Sequence, residues 1–261
     1  LSIRRQRQMC IRDRNPLYGF FVARAGLGAS ESMRSKLAEY NDPRLSRAFI
    51  TKQGTSGKEQ APGTADNAVY APNGTPEQGT SKYGTSLFMY SISAPTLLLS
   101  YHELKFLEAE ALCRLERDAK SALKDAVVAG LLNAENSFTI SRKELGKTLI
   151  NAASSITEAE AESYFDNTIE AKYTAEPLKT TMTQKYFALW GASGEATESY
   201  NDVRRMKGLG ENFIELKNPN SFPLRCPYGN SDTTTNAEVK AAYGNGQYVY
   251  SENVWWAGGS R

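Results

Sequence analysis

A mainly α-helical fold is what this sequence predicts, with helices paired as hairpins and long irregular loops between them. Three observations carry that expectation. Between residues 100 and 205, capping residues are repeatedly followed by apolar positions at helical spacing. Between 51 and 83, Gly, Thr, Ser, Pro and Asn dominate, and no helical or strand period survives. No run approaches the roughly 20 apolar residues that a membrane-spanning helix needs.

The elements follow in order. "SESMRSKLAEY", 30–40, predicts a short helix that stops at "NDPRL", 41–45, where Pro43 biases Asp42 away from helix. The polar stretch 51–83 is long for a loop in a compact domain, and such loops are usually functional or disordered. "SLFMYSIS", 86–93, fits a short strand. "SYHE", 100–103, has the form of a capping box in which Ser100 caps and Glu103 returns the bond. The helix it opens runs to about residue 116, with Leu104, Leu107, Ala111, Leu112 and Leu115 on one face.

Asp118 opens the next helix, striped by Leu123, Ala126, Val127 and Leu131. "SRKE", 141–144, and "TEAE", 157–160, are further candidate boxes. Pro177 suits a first helical turn. That helix carries Leu178, Met182, Lys185 and Leu189 on one side, with Tyr186 and Trp190 on another. Gly191, Ser193 and Gly194 break it, and a shorter helix follows over 195–205. Beyond Lys207 the pattern dissolves into Gly, Asn and Pro loops that end in "ENVWWAGGSR". Antiparallel helix pairs with short connections resemble tetratricopeptide-type hairpins, although the consensus repeat spacing is absent.

With 261 residues the chain can bury a large core, and its 40% hydrophobic and 23% charged residues are ordinary for a globular protein. The net charge is +2, yet residues 1–14 hold five arginines against Asp13, a net of +4 that leaves −2 for the rest. A mildly acidic body argues against a duplex-binding face, and no nucleic-acid partner is expected. The basic start lacks the apolar core of a secretory signal. Its break in composition at Asn15 marks 1–14 as a non-native segment, with a basic nucleic-acid arm as the alternative. On that expectation the natural N-terminus lies upstream.

Catalytic chemistry finds little support. Cys10, Cys113 and Cys226 have neither the spacing nor the neighbours of a metal site. The only histidine, His102, sits in the first candidate capping box and is expected at the surface. "GLGEN", 208–212, lacks the lysine of a phosphate loop. Carboxylates are plentiful but lie mainly on solvated faces such as "EAEAE", 158–162. No enzyme, metal or cofactor is expected.

Several motifs occur in one order: "YNDPRL" at 40–45, "APTLLLSYHELKFLEAEALCR" at 94–114, "TQKYFALWG" at 183–191, "EATESYNDVRR" at 195–205, "FPLRCPYGNSDTTTN" at 222–236 and "VWWAG" at 254–258. In this the chain resembles the SusD/RagB family of Bacteroidetes outer-membrane nutrient-binding lipoproteins, in its SusD-like branch with a double Trp near the C-terminus. The resemblance implies tetratricopeptide-like hairpins carrying long loops. It implies a surface-exposed place at the outer membrane, held by a lipidated cysteine absent from this chain. It implies capture of an oligosaccharide or peptide and its delivery to a SusC-like TonB-dependent transporter. Residues 15–261 would then be the C-terminal part of a single SusD-like domain. Tyr186 and Tyr200 stand where many relatives place Trp.

Under this resemblance, residues 183–205 form a corner between two helices. Phe187 or Trp190 packs into the core, and Asp202 pairs with Arg204 or Arg205 or caps backbone amides. Ligand residues vary within the family, so none is carried over. Composition and position nominate Tyr70, Asn73 and Tyr83 in the polar loop, and Tyr248, Tyr250, Trp255 and Trp256 in the tail, since aromatic faces stack on sugar rings. The rival reading for Trp255 and Trp256 is a tail tucked onto the core, and for Tyr70 and Tyr83 a mobile loop. Two alternatives stand beside glycan binding: a soluble helical-repeat scaffold for protein–protein interaction, and a barrel interface within 51–93.

Overall fold

The computed structural model describes residues 14–24, 28–53, 58–60, 70–73, 83–146, 154–217, 221–246 and 248–259. They fall into two compact units, divided between Leu216 and Lys217. Much of the polar stretch 51–83, and the basic segment 1–13, lie outside the described residues.

The first unit is helical. It begins with α1 (Pro16–Arg24) and α2 (Glu31–Glu39). Ser30 caps α2 by accepting from the Met33 amide, and Met33 and Leu37 form its buried face. A small antiparallel sheet follows, β1 (Phe49–Gln53), β2 (Lys58–Gln60) and β3 (Thr85–Ser86), in the order β2-β1-β3. Thr51 pairs with Gln60, and Phe49 with Ser86. The expected strand over 86–93 is mostly a 3₁₀ turn, Leu87–Tyr90, which the Ser86 hydroxyl caps. Such a cap draws the backbone away from an extended ladder.

Four longer helices build the body: α3 (Tyr101–Arg114), α4 (Lys120–Leu145), α7 (Pro177–Leu189) and α8 (Ala196–Gly208). Between α4 and α7, α5 (Glu158–Tyr164) runs through a π-helical turn, Phe165–Ile169, into α6 (Glu170–Ala175). The α4 stripe is as expected: Leu123, Ala126, Val127 and Leu131 are all buried. Gly130 lets α4 approach α7 closely, since a Cβ there would meet Ala188 Cβ at 3.0 Å. Phe106, Phe138, Phe165 and Phe187 are fully buried and fill the centre of the core.

Other expectations are corrected. On α3 the buried face is His102, Glu103, Phe106, Ala109 and Glu110. Leu104, Leu107 and Leu115 are instead 52%, 42% and 65% exposed. "SRKE", 141–144, opens no helix; it is the last turn of α4. Ser141 is buried there, its hydroxyl 2.6 Å from the Leu87 carbonyl and 2.9 Å from that of Ser137. Thr157 does cap α5, but Glu160 turns to Arg47 at 2.9 Å.

The turn after α2 is locked to α7. The Arg44 guanidinium donates from Nε to Asp42 Oδ1 at 2.8 Å and from Nη2 to Asp42 Oδ2 at 2.6 Å. Its Nη1 donates to the Phe187 carbonyl at 2.8 Å, satisfying one of the acceptors that a helix end leaves open. Both Asp42 and Arg44 are buried, and the forked geometry fixes their mutual orientation. Past α7 the chain turns at Gly191, whose φ is +79° and whose Cβ, if present, would lie 2.3 Å from the Phe88 ring. Only glycine suits both constraints.

In the second unit the region expected to be loop contains two short helices, α9 (Asn230–Thr235) and α10 (Ala237–Tyr243). Asn236 caps α10 by accepting from the Glu238 and Val239 amides. Tyr228 and Tyr243 stack with centroids 4.4 Å apart, and Arg225 lies over Tyr228.

Candidate functional site

A charged cleft of about 500 Å³ opens where α3, α7 and α8 meet. Helical spacing builds it: Glu103, Leu107, Glu110 and Arg114 are three or four residues apart on α3, as are Glu198, Asp202 and Arg205 on α8. Lys185 comes from α7.

The charges alternate in sign. Lys185 Nζ lies 2.8 Å from Asp202 Oδ2, and Asp202 Oδ1 accepts from Arg205 Nη2 at 2.8 Å. Arg205 grips both oxygens of Glu110, the second at 2.8 Å. Glu110 also accepts from Arg114 Nε at 2.7 Å, and Arg114 is held in turn by both oxygens of Glu211 at 2.9 Å. Burial alone would raise the Glu110 pKa, but the hydrogen bonds and charges of Arg205 and Arg114 outweigh it and hold the carboxyl below its usual range.

Behind the cleft lies a second, deeper group. Glu195 Oε1 accepts the amide of Ser100, the α3 cap, while Glu195 Oε2 faces His102 Nε2 at 3.7 Å. Glu103 does not return the capping-box bond; Glu195, from a distant part of the chain, takes that amide instead. Burial, reinforced by the Glu195 charge, pushes the Glu103 carboxyl up to about 7. His102, expected at the surface, is 2% exposed. Burial lowers its pKa against the pull of Glu195. The apolar stripe of a helix predicts neither residue, because both are polar and buried on the face that meets α7 and α8.

The residues nominated from sequence do not converge on one place. Tyr70 is half-buried, edge-on to Phe49 at 5.2 Å, with Arg34 over its ring at 5.5 Å. Asn73 Oδ1 accepts from the Ser30 hydroxyl at 2.8 Å. Tyr83 is buried. In the second unit Trp255 and Trp256 are 72% and 70% exposed and meet edge to face at 5.7 Å. At the corner, Phe187 is fully buried and Trp190 is half-buried, with its ring 5.3 Å from Phe49 and 5.1 Å from Phe88. Arg205 is the arginine on Asp202, whereas Arg204 Nη1 donates to the Tyr200 hydroxyl at 3.2 Å. Lys185 was the missed partner. A lysine inside an apolar stripe is itself a signal, since burying its ammonium requires a carboxylate.

Among the described residues no group of three or more His, Cys, Asp or Glu is placed to hold a metal ion. No helix of the described residues is long and apolar enough to cross a membrane.

Comparison with known proteins converges on one family. The SusD-like family described as "Starch-binding associating with outer membrane" matches residues 8–228. A crystal structure of a SusD/RagB family protein from Bacteroides thetaiotaomicron is 64% identical, with a TM-score of 0.85, over 95% of this chain and 53% of that one. A Bacteroides vulgatus structure, described in terms of the outer membrane and nutrient binding, shares the fold at a TM-score of 0.54 and 21% identity, over 86% of this chain and 50% of that one. The chain thus spans about half the length of the solved relatives it matches. No curated protein matches it.

Proposed function

This chain belongs to the SusD/RagB family, and from that premise we propose that it captures a glycan at the cell surface, on the outer membrane, and passes it to a SusC-like TonB-dependent transporter. The observation that carries the proposal is the match over residues 8–228 to a family described by starch binding and outer-membrane association. The helical body is the scaffold, and the charged ribbon from Lys185 to Glu211 joins α3, α7 and α8 within it. Trp255 and Trp256 are the ligand contacts this proposal assigns, because exposed indole faces stack on the apolar faces of sugar rings. Tyr70, Asn73 and Tyr83 support the loop from within.

The proposal includes no catalytic step. A glycosidase holds two carboxyl groups across a sugar, with room between them for the anomeric carbon or a water. Glu103 instead hydrogen-bonds directly to Glu195, behind the cleft.

The test is made on the full-length protein in its own host. Tagged protein should co-purify with a TonB-dependent barrel, be accessible to protease on intact cells, and bind members of a neutral oligosaccharide panel. Cytoplasmic retention with no barrel and no glycan would overturn the proposal in favour of a helical-repeat scaffold.

A further inference from the structure

A second concavity, also of about 500 Å³, lies between the turn after α2 and the helix that runs from α5 into α6. The Asp42–Arg44 pair and Tyr164 form its floor, with the Tyr164 hydroxyl 3.4 Å from Asp42 Oδ2. Arg47 closes one end: its guanidinium donates to the Pro43 and Ser154 carbonyls at 2.9 and 2.7 Å and to Glu160 at 2.9 Å. Every charge bordering the groove is therefore matched within it.

The rim is different. It carries the Asn41 amide, the Ser46 and Thr168 hydroxyls and the Asn167 amide. Asn167 Nδ2 donates to the Ser163 hydroxyl at 2.9 Å, which leaves its carbonyl oxygen to face outward. Among the described residues the side chains of Asn41 and Thr168 have no partner. Two backbone irregularities present these groups. Asn41 sits at φ +48°, a conformation uncommon outside glycine. Asn167 and Thr168 lie in the π-helical turn Phe165–Ile169, and such turns occur frequently at functional sites. Pro43 and Leu45 add an apolar patch to the same wall.

We propose that this groove is a binding site for an uncharged, hydroxyl-rich chain, specifically a segment of an α-glucan. The inference rests on the glycan-capture function proposed above and adds a site to it. Paired charges give no advantage to an ionic ligand. A fixed rim of amides and hydroxyls beside an apolar patch offers a polyol both its hydrogen bonds and a surface for its C–H face. The locked floor means that little ordering is needed on binding.

Maltoheptaose titrated into the full chain by calorimetry is the test, with Asn41→Gly plus Asn167→Ala as the groove variant. Glycine keeps the left-handed backbone at 41, and alanine keeps the helix at 167. The expected result is about tenfold weaker binding, the loss of two modest hydrogen bonds, with an unchanged melting temperature. Trp255→Ala with Trp256→Ala serves as the comparison. Maltoheptaose affinity that falls only in the tryptophan variant overturns the groove and leaves glycan capture standing. So does binding of other glycans by a wild type that ignores millimolar maltoheptaose. Failure of every oligosaccharide on the panel overturns both.

Discussion

Lys185 is 2% exposed in the body of the protein, and its ammonium is matched by Asp202, 2.8 Å away on the next long helix. The pair ties α7 to α8 and places a full charge where water does not reach. Removing one partner strands the other, a larger effect than losing the bond itself. Asp202→Ala should destabilise the fold by about 3–5 kcal/mol in urea unfolding. Replacing both, Lys185→Met with Asp202→Leu, should recover most of that loss. Equal destabilisation by the single and double variants would show that the pair is not the relevant unit.

A pH dependence follows from Glu103. Its carboxyl is raised from 4.5 to about 7, so the folded state holds a proton that the unfolded state releases. The stabilisation from that proton is complete below 4.5 and is lost as pH rises through about 7. His102 acts in the opposite sense: its pKa is lowered from 6.5, so its cost appears as pH falls below that value. Glu103→Gln should therefore gain stability relative to the wild type as pH rises from 5 to 8. Urea melts at the two ends of the range read this directly, and a constant difference between the proteins would refute it.

The leucine face of α3 has a consequence for solution behaviour. Leu104, Leu107 and Leu115 lie exposed on one helix, with Leu98 and Leu99 exposed just before it. Contiguous apolar surface of this kind drives association. The 261-residue chain is expected to elute from size exclusion as more than a monomer and to bind a hydrophobic dye. Leu104→Lys with Leu107→Lys should reduce both signals. A sharp, concentration-independent melt of the unaltered chain would contradict the prediction.

Gly191→Ala tests the corner after α7. The substitution puts a Cβ 2.3 Å from the Phe88 ring at a φ of +79°. Strain and overpacking together should cost about 2–4 kcal/mol. Gly208→Ala, with nothing within 4 Å of the added methyl, should be close to neutral or slightly stabilising and serves as the control.

Where burial and hydrophobicity coincide, the fold was legible. The stripe Leu123, Ala126, Val127, Leu131 points inward as its spacing requires, and Ser30, Ser100 and Thr157 cap the helices they precede. On α3 the two separate. Its inward face carries Glu103 and Glu110, whose partners Glu195, Lys185 and Arg205 lie some 80 to 95 residues away, and no local pattern announces such pairing. Apolarity alone therefore selected the leucine face. The helices at 230–235 and 237–243 escaped notice because they are short and polar, although Asn236 followed by Glu238 is a cap in plain view. The candidate sites were less legible still. An aromatic residue in a polar loop suits a sugar or a core equally, and Tyr83 lies in the core.

The bond from Arg44 to the Phe187 carbonyl spans 143 positions of chain. Closing so long a loop is costly in entropy and is rewarded only when both ends have arrived. During synthesis the 40–47 turn leaves the ribosome long before α7 exists. Its buried arginine therefore lacks this acceptor until most of the first unit has been made. The turn and the end of α7 should thus assemble late and together, making this corner a timing element in folding as well as a joint in the finished protein.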